Sequence, residues 1–414
     1  MGTNRTASLP ARPLIAMIAL AIFIHALDRG NFATAAPLIK DGLGLTNTQT
    51  GLLLSAFFWT YVPGHVLAGW LIEKLNARRA LALALAVWSL ATVLTGFATS
   101  FAMLLVLRLL LGLGESAGCP ASSRLLAEAL PREKLGTANG LVGAGLMLGN
   151  GLGVLLGGMV LAAMGWQALF FVFGGISLLW LLPWLAMTSG RKPLIQPTEP
   201  APPAPGYAVM LARRETWAAM LGMFCSNYPY FIVLSWLPLY LVKQQGFAIT
   251  TMAWLGGLVY LLGAAINFWG GPWVDRRIAA GADAPRLRKQ VVLASSAIAV
   301  VCMLACALGD TRVAVAGLLG YSLSIGLGPI GTFTVGQTMA GPSGAGKWIG
   351  LQNGSGGLSG VVGPLVTGVL IDATGDYRMA FLFAALVSAA GLFFWGVMIG
   401  RVEPLDWDSP PQRP

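Results

Sequence analysis

Four ionisable side chains, Asp28, Arg29, Arg108 and Glu115, stand well inside long apolar runs of the sequence. A charge placed in hydrocarbon costs several kcal/mol unless it is paired or hydrated, so four of them confined to the first half of the chain mark a place where chemistry is done. Arginine supplies a planar fork that cannot lose its proton and that matches a carboxylate through two hydrogen bonds. The expected ligand is therefore an organic anion. Asp28 and Glu115 are the expected proton carriers. Burial and a like charge favour the neutral form of a carboxyl and a guanidinium favours the ionised one, so an acid held between these influences can change state when its surroundings change. The competing reading is an ion-pair network that only fastens helices one and four together.

Spacing limits how these groups can face. Arg108 and Glu115 are seven residues apart, almost two helical turns, and share one face. Asp28 and Arg29 are adjacent and point about 100° apart, so they cannot serve the same partner. The arrangement expected from this turns Arg29 to a central cavity and Asp28 to helix four, with Arg108 as its ion-pair partner. Two histidines, His25 and His65, titrate in the range where a proton-coupled process runs. His25 is expected to be a hydrogen-bonded packing residue, whereas His65, one turn from Tyr61, is expected to line the cavity with it. The second half offers neutral polar and aromatic groups, Asn227, Tyr228, Tyr230, Thr334, Gln337, Asn353 and Ser359, as candidates to recognise the rest of the ligand. A hydroxyl-rich sugar acid needs many such groups, and a small or aromatic acid needs few.

The elements that must position these residues follow from composition. The chain has 414 residues, 56% hydrophobic and only 10% charged, with a mean hydropathy of +0.73. Soluble domains carry roughly 25% charged residues, so most of this surface faces lipid and a cytosolic enzyme is excluded. Apolar runs of membrane-spanning length recur at 13–38, 50–72, 79–98, 101–126, 135–163, 166–187, 217–242, 250–274, 289–308, 312–339, 345–371 and 377–400. They predict an all-α membrane protein with twelve transmembrane helices. The first run has no cleavage signature and is read as a retained helix. The 54 glycines and 24 prolines suit membrane helices that pack closely and slide.

Lys40, Lys243, Arg312 and Arg378 fall on one side of the membrane. Apart from Arg29 and Arg108, the remaining Lys and Arg residues of the 26 fall on the other. By the positive-inside rule both termini are cytoplasmic, so the net charge of +10 reports topology and no nucleic-acid partner is expected. The proline-rich stretch from Thr188 to Thr216 reads as a linker. The expected organisation is a cytoplasmic segment at 1–12, a six-helix bundle at 13–187, the cytoplasmic linker at 188–216, a second bundle at 217–400 and a cytoplasmic tail at 401–414. Cys119, Cys225, Cys302 and Cys306 lie in apolar runs without the partners a metal site needs, so neither a metal nor another cofactor is expected.

A repeat supports the two halves. Gly69-Trp-Leu-Ile-Glu73-Lys74, followed by Arg78 and Arg79, returns half a chain later as Gly271-Pro-Trp-Val-Asp275-Arg276-Arg277. Parallel six-helix halves around a midplane site are the repeat logic of secondary transporters. This motif resembles the cytoplasmic loop motif of the major facilitator superfamily, with Glu73 where Asp is more frequent and Asn76 where Gly is. The resemblance implies the major facilitator fold, two pseudo-symmetric halves, and loop charges (Glu73, Arg78, Asp275, Arg276) that bridge helix ends in a gating role.

Five further segments resemble the anion:cation symporter family, which includes bacterial hexonate and hexuronate carriers and vesicular glutamate and sialic acid carriers. They are Leu27-Asp28-Arg29-Gly30-Asn31 with Ala36-Pro37, Phe57-Phe58-Trp59-Thr60-Tyr61, Arg108 with Gly112, Glu115 and Pro120, Asn227-Tyr228-Pro229-Tyr230 with Trp236 to Leu241, and Gly363-Pro364 with Thr374-Gly375. The resemblance implies that Arg29 binds a substrate carboxylate and that Asp28 and Glu115 carry protons. It also implies a bacterial inner-membrane location. Sugar-acid carriers of this kind have an Asn one turn after Asn353, a Trp near Thr334 and a Tyr two residues before the helix-one Asp. Here Gly357, Thr334 and Ala26 stand there, which shifts the expectation toward a simpler carboxylate.

The reading is a proton-coupled symporter that imports an organic carboxylate, a sugar acid or related monocarboxylate, by alternating access. A proton-antiporting exporter is the alternative, disfavoured because helix five has many glycines but no proline. A membrane enzyme lacks a nucleophile with its base. No oligomerisation signal is visible, so a monomer in the bilayer is expected, with a small anion and H⁺ as its partners.

Overall fold

A chain in hydrocarbon must satisfy its backbone internally, and a helix does so within one segment. The computed structural model describes residues 11–130, 132–189 and 205–407, and within them only helices and short connections occur. The first helices are α1 (Ala11–Gly42), α2 (Asn47–Leu75), α3 (Ala77–Thr95) and α4 (Phe101–Ala129). The stretch Arg132–Thr188 breaks at Gly165, whose φ of 82° and ψ of 175° leave the helical region. It yields α5 (132–164) and α6 (166–188). The second set is α7 (Arg214–Gln244), α8 (Ile249–Ala279), α9 (Ala284–Leu308), α10 (Thr311–Gly341), α11 (Ser343–Thr374) and α12 (Arg378–Met398). Gly341, at φ 68° and ψ 174°, makes the break between α10 and α11 that Gly165 makes between α5 and α6.

Ten stretches among the described residues are long and apolar enough to cross a membrane. One of them, Leu141–Thr188, contains the Gly165 break and is two rods, and α2 completes the twelve helices that the sequence predicts. The chain groups into two units: Met1–Pro197 with Leu241–Gly257, and Thr198–Tyr240 with Leu258–Pro414. In the first unit, Lys243 pairs with Asp41, and Gly257 lies against Leu155 and the carbonyl of Gly151. Residues 1–10 of the expected segment 1–12, residues 190–204 of the linker 188–216 and residues 408–414 of the tail 401–414 lie outside the described residues.

Two close approaches set the helices that carry the buried charges. Gly145, Gly149 and Gly153 form a stripe on α5 that lies on the carbonyls of Ala19, Phe23 and Leu27 of α1. A Cβ at these positions would stand 2.9, 2.4 and 2.8 Å from those oxygens. Backbone therefore rests on backbone, as small residues permit in membranes. The stripe brings α1 against α5 and sets the rotation at which the α1 side chains point. Gly112 of α4 meets α2 in the same way, with a Cβ reaching 2.1 Å from the carbonyl of Phe57.

A single residue, Asn76, joins α2 to α3 at φ 66° and ψ 155°. Only glycine is at ease there, and another residue is strained by about 1–3 kcal/mol. Asn76 Oδ1 offsets part of this by accepting from the Arg79 N–H at 3.1 Å. Asn76→Gly forfeits a few tenths of a kcal/mol of capping and adds unfolded-state entropy, so the expected net gain is about 1 kcal/mol. A higher unfolding midpoint in detergent is the expected result. An unchanged or lower one would show that the junction is not strained.

Candidate functional site

Residues four apart share a helix face, so His25 and Arg29 point the same way on α1, and Asp28 points about 100° away. The structure turns the His25–Arg29 face toward α2 and α4. Arg29 Nη2 lies 3.5 Å from Glu115 Oε2, and His25 Nε2 lies 3.0 Å from the same oxygen. Arg29 Nη2 and His25 Nε2 are 3.2 Å apart. Glu115 is fully buried, whereas the Arg29 side chain keeps 15% of its surface exposed. The guanidinium also lies over Tyr61 at 4.7 Å and over Phe57 at 5.3 Å. Such contacts hold a cation in one orientation.

Because Arg29 faces α4, its neighbour Asp28 cannot, and the expected Asp28–Arg108 pairing does not form. Asp28 is turned to α6. Its Oδ2 lies 2.8 Å from Ser177 Oγ, and its Oδ1 accepts from Asn31 Nδ2 at 3.1 Å. Ser177 Oγ is also 2.9 Å from the carbonyl of Phe173. No cation pairs with Asp28 among the described residues.

Arg108 is likewise not the ion-pair partner that the sequence suggests. It donates from Nε to the carbonyl of Leu53 at 3.0 Å and from Nη2 to that of Leu54 at 3.3 Å, and it lies over Phe32 and Phe57. The Gly112 approach brings α2 within its reach. Arg108 and Glu115 do share a face of α4, but seven residues separate them by about 10 Å along the axis, so their polar partners differ: carbonyls of α2 for Arg108 and side chains of α1 for Glu115. Phe57 is left in contact with both guanidinium groups.

Tyr61 and His65 extend the site along α2. Their rings meet edge to face at 4.5 Å, and His65 Nδ1 is 2.7 Å from the carbonyl of Tyr61. Both are half-buried. His25, expected to be packing, instead stands at the centre of the cluster, edge-on to Trp88 of α3 at 5.7 Å. Its position one turn before Arg29 was the signal available in the sequence. Ser177 carried no such signal, since nothing local tells which helix Asp28 will meet.

In the second unit the candidates divide. Thr334 and Ser359 direct their hydroxyls to carbonyls of their own helices, those of Ile330 at 2.7 Å and Gly356 at 2.6 Å. Gln337 and Asn353 are exposed. Asn227 is half-buried with its Nδ2 against Gly356. Tyr230 meets Tyr260 edge to face at 6.3 Å. Sequence reasoning missed Gln352, which is fully buried and donates from Nε2 to the carbonyl of Thr332 at 3.1 Å. Asp275 and Arg276 are exposed and form no ion pair among the described residues, because water at the helix end solvates both. Arg78 is buried, and its carbonyl accepts from Trp184 Nε1 at 3.3 Å. The Glu73 side chain lies outside the described residues.

Comparison with known proteins agrees with this architecture. A sequence profile described as the Major Facilitator Superfamily matches residues 18–347. The chain is 29% identical over 395 residues to a probable sulfoacetate transporter of Cupriavidus necator, with 91% of each chain covered. It is 26% identical over 420 residues to the hexuronate transporter of Bacillus subtilis, covering 96% of this chain and 98% of the relative. The crystal structure of a bacterial homolog to the human lysosomal transporter Spinster, inward-facing and unoccupied, superposes with a TM-score of 0.80 at 18% identity. It covers 96% of this chain and 98% of that one, a likeness of fold alone.

Proposed function

The chain belongs to the Major Facilitator Superfamily and is a multi-pass membrane transporter, not an enzyme, and from that premise we propose that it imports an organic carboxylate together with H⁺. The observation that carries this reading is Arg29: a partly exposed guanidinium, steadied by Tyr61 and Phe57, that lies 3.5 Å from the buried Glu115. A substrate carboxylate and Glu115 then compete for one fork. Protonation of Glu115 releases the fork to the substrate, and by reciprocity the bound anion favours that protonation. Relatives named for sulfoacetate and hexuronate transport support an organic acid as the cargo.

Asp28 is the second proton site. A serine hydroxyl has one hydrogen. If Ser177 gives it to the carbonyl of Phe173, its contact with Asp28 is satisfied only when the acid carries a proton and donates it. A neutral Asp28 thus completes both contacts, and Asn31 steadies the other oxygen. Tyr61 and His65 wall the substrate beside Arg29; in the second unit Asn227, Tyr230, Gln337 and Asn353 are the polar candidates, whereas Thr334 and Ser359 turn their hydroxyls to their own helices. Both termini lie on the cytoplasmic side of a bacterial inner membrane, and the protein works as a monomer.

Reconstitution into liposomes with an inward proton gradient tests the reading. Labelled glucuronate or sulfoacetate should accumulate, and an uncoupler should collapse the accumulation. Uptake that ignores the uncoupler would remove the proton from the mechanism, and failure to carry any organic acid would remove the carboxylate.

A further inference from the structure

The proton traffic assigned to Glu115 passes an atom for which that reading has no use. His25 Nε2 lies 3.0 Å from Glu115 Oε2 and 3.2 Å from Arg29 Nη2. The ring is fully buried. Arginine is only ever a donor, and Nε2 carries either a hydrogen or a lone pair, so it cannot serve both neighbours at once. With its hydrogen on Nε2, His25 faces an ionised Glu115 at 3.0 Å, a contact without hydrogen-bond alignment in the resting arrangement, and the guanidinium is left to attract the carboxylate. With its hydrogen on Nδ1, the ring accepts at Nε2, from Arg29 or from a protonated Glu115. In either tautomer Nε2 is the ring atom that faces the acid.

Nδ1 is the second observation. It is buried and has no hydrogen-bond partner, a condition that a packing histidine avoids. The titratable groups around the ring are Arg29 on its own helix, Tyr61 and behind it His65 on α2, and Glu115 with Cys119 one turn on along α4. Trp88 closes the side toward α3. Within this set only Glu115 is placed to receive a proton from Nε2.

We propose that His25 loads Glu115: a proton enters at Nδ1 while the one on Nε2 passes to the acid, a step that rests on the transport reading for its consequence. One N–H bond forms at Nδ1 with a proton from hydronium, whose O–H bond breaks to leave water, the N–H bond at Nε2 breaks, and an O–H bond forms at Glu115 Oε2. The ring starts and ends neutral, in opposite tautomers, and the site gains one proton. Glu115 stays held by Nε2, now the acceptor, while Arg29 is released to the substrate.

The chain has two histidines, so ¹⁵N-histidine labelling in lipid nanodiscs reads the ring directly, with His65→Gln to assign the signals and no substrate required. The Nε2–H tautomer is expected in alkali, with Nδ1 gaining a proton in acid. An Nδ1–H tautomer throughout, or a ring blind to pH, would overturn the proposal. In liposomes, His25→Phe should lose at least about tenfold of proton-driven glucuronate accumulation while exchange of labelled for unlabelled glucuronate continues. His25→Gln, which can donate or accept, should restore most of the loss. Undiminished accumulation in His25→Phe would overturn the proposal too. A wild-type protein that carries no acid would strike the transport reading alone, because the nanodisc measurement still decides the ring.

Discussion

Arg29→Ala is expected to abolish carboxylate uptake. Two charge-assisted hydrogen bonds from one fork contribute about 1.5–3 kcal/mol each, so their joint loss weakens binding roughly 10²- to 10⁴-fold. Arg108 cannot substitute, because it is committed to the carbonyls of Leu53 and Leu54. Arg29→Lys keeps the charge but not the planar fork and should recover only part of the affinity. Removing Arg29 also strands Glu115, and breaking a buried pair costs about 3–5 kcal/mol unless the acid takes up a proton. Unfolding midpoints measured beside uptake separate the two effects. Normal uptake by a folded Arg29→Ala protein would end the assignment of the fork.

Glu115→Gln should separate transport from its driving force. The amide keeps the size of the carboxyl but cannot ionise, so each cycle loses one proton site. Accumulation against a gradient should collapse to equilibration, whereas exchange of labelled for unlabelled substrate should persist. The sign of the binding effect follows from the shared fork. On the proposed coupling, a wild type whose Glu115 has taken up its proton has Arg29 free and binds the anion more tightly. In Glu115→Gln the fork is free at every pH, and binding at neutral pH should match that of the acidified wild type. Accumulation that survives the substitution would move proton coupling away from Glu115.

Much of this was legible in the sequence, and what was not has a physical cause. Twelve helices follow from apolar length, since lipid leaves a backbone no other way to satisfy itself. That Asp28 and Arg29 diverge follows from helical geometry, but the geometry fixes only the angle between them. Which one meets α4 depends on how α1 is rotated, and that is set by Gly145, Gly149 and Gly153 on α5, more than a hundred residues away. Arg108 and Glu115 share a face as their spacing requires, yet their different heights along α4 give them different polar partners, backbone of α2 for one and side chains of α1 for the other. His25 shows the opposite case: the i, i+4 relation to Arg29 was available, and the bland reading of a lone histidine concealed it.

The glycine stripe has a consequence for how such a protein can change its diet. With α1 welded to α5 through bare main chain, the bearing of its charged residues is not adjustable by small mutations, because any added methyl collides with a carbonyl oxygen. On the proposed reading, new cargo would be accommodated by side chains around Arg29 that are free of such main-chain contacts. The electrical part of the machine is inherited whole, and only its upholstery is open to selection.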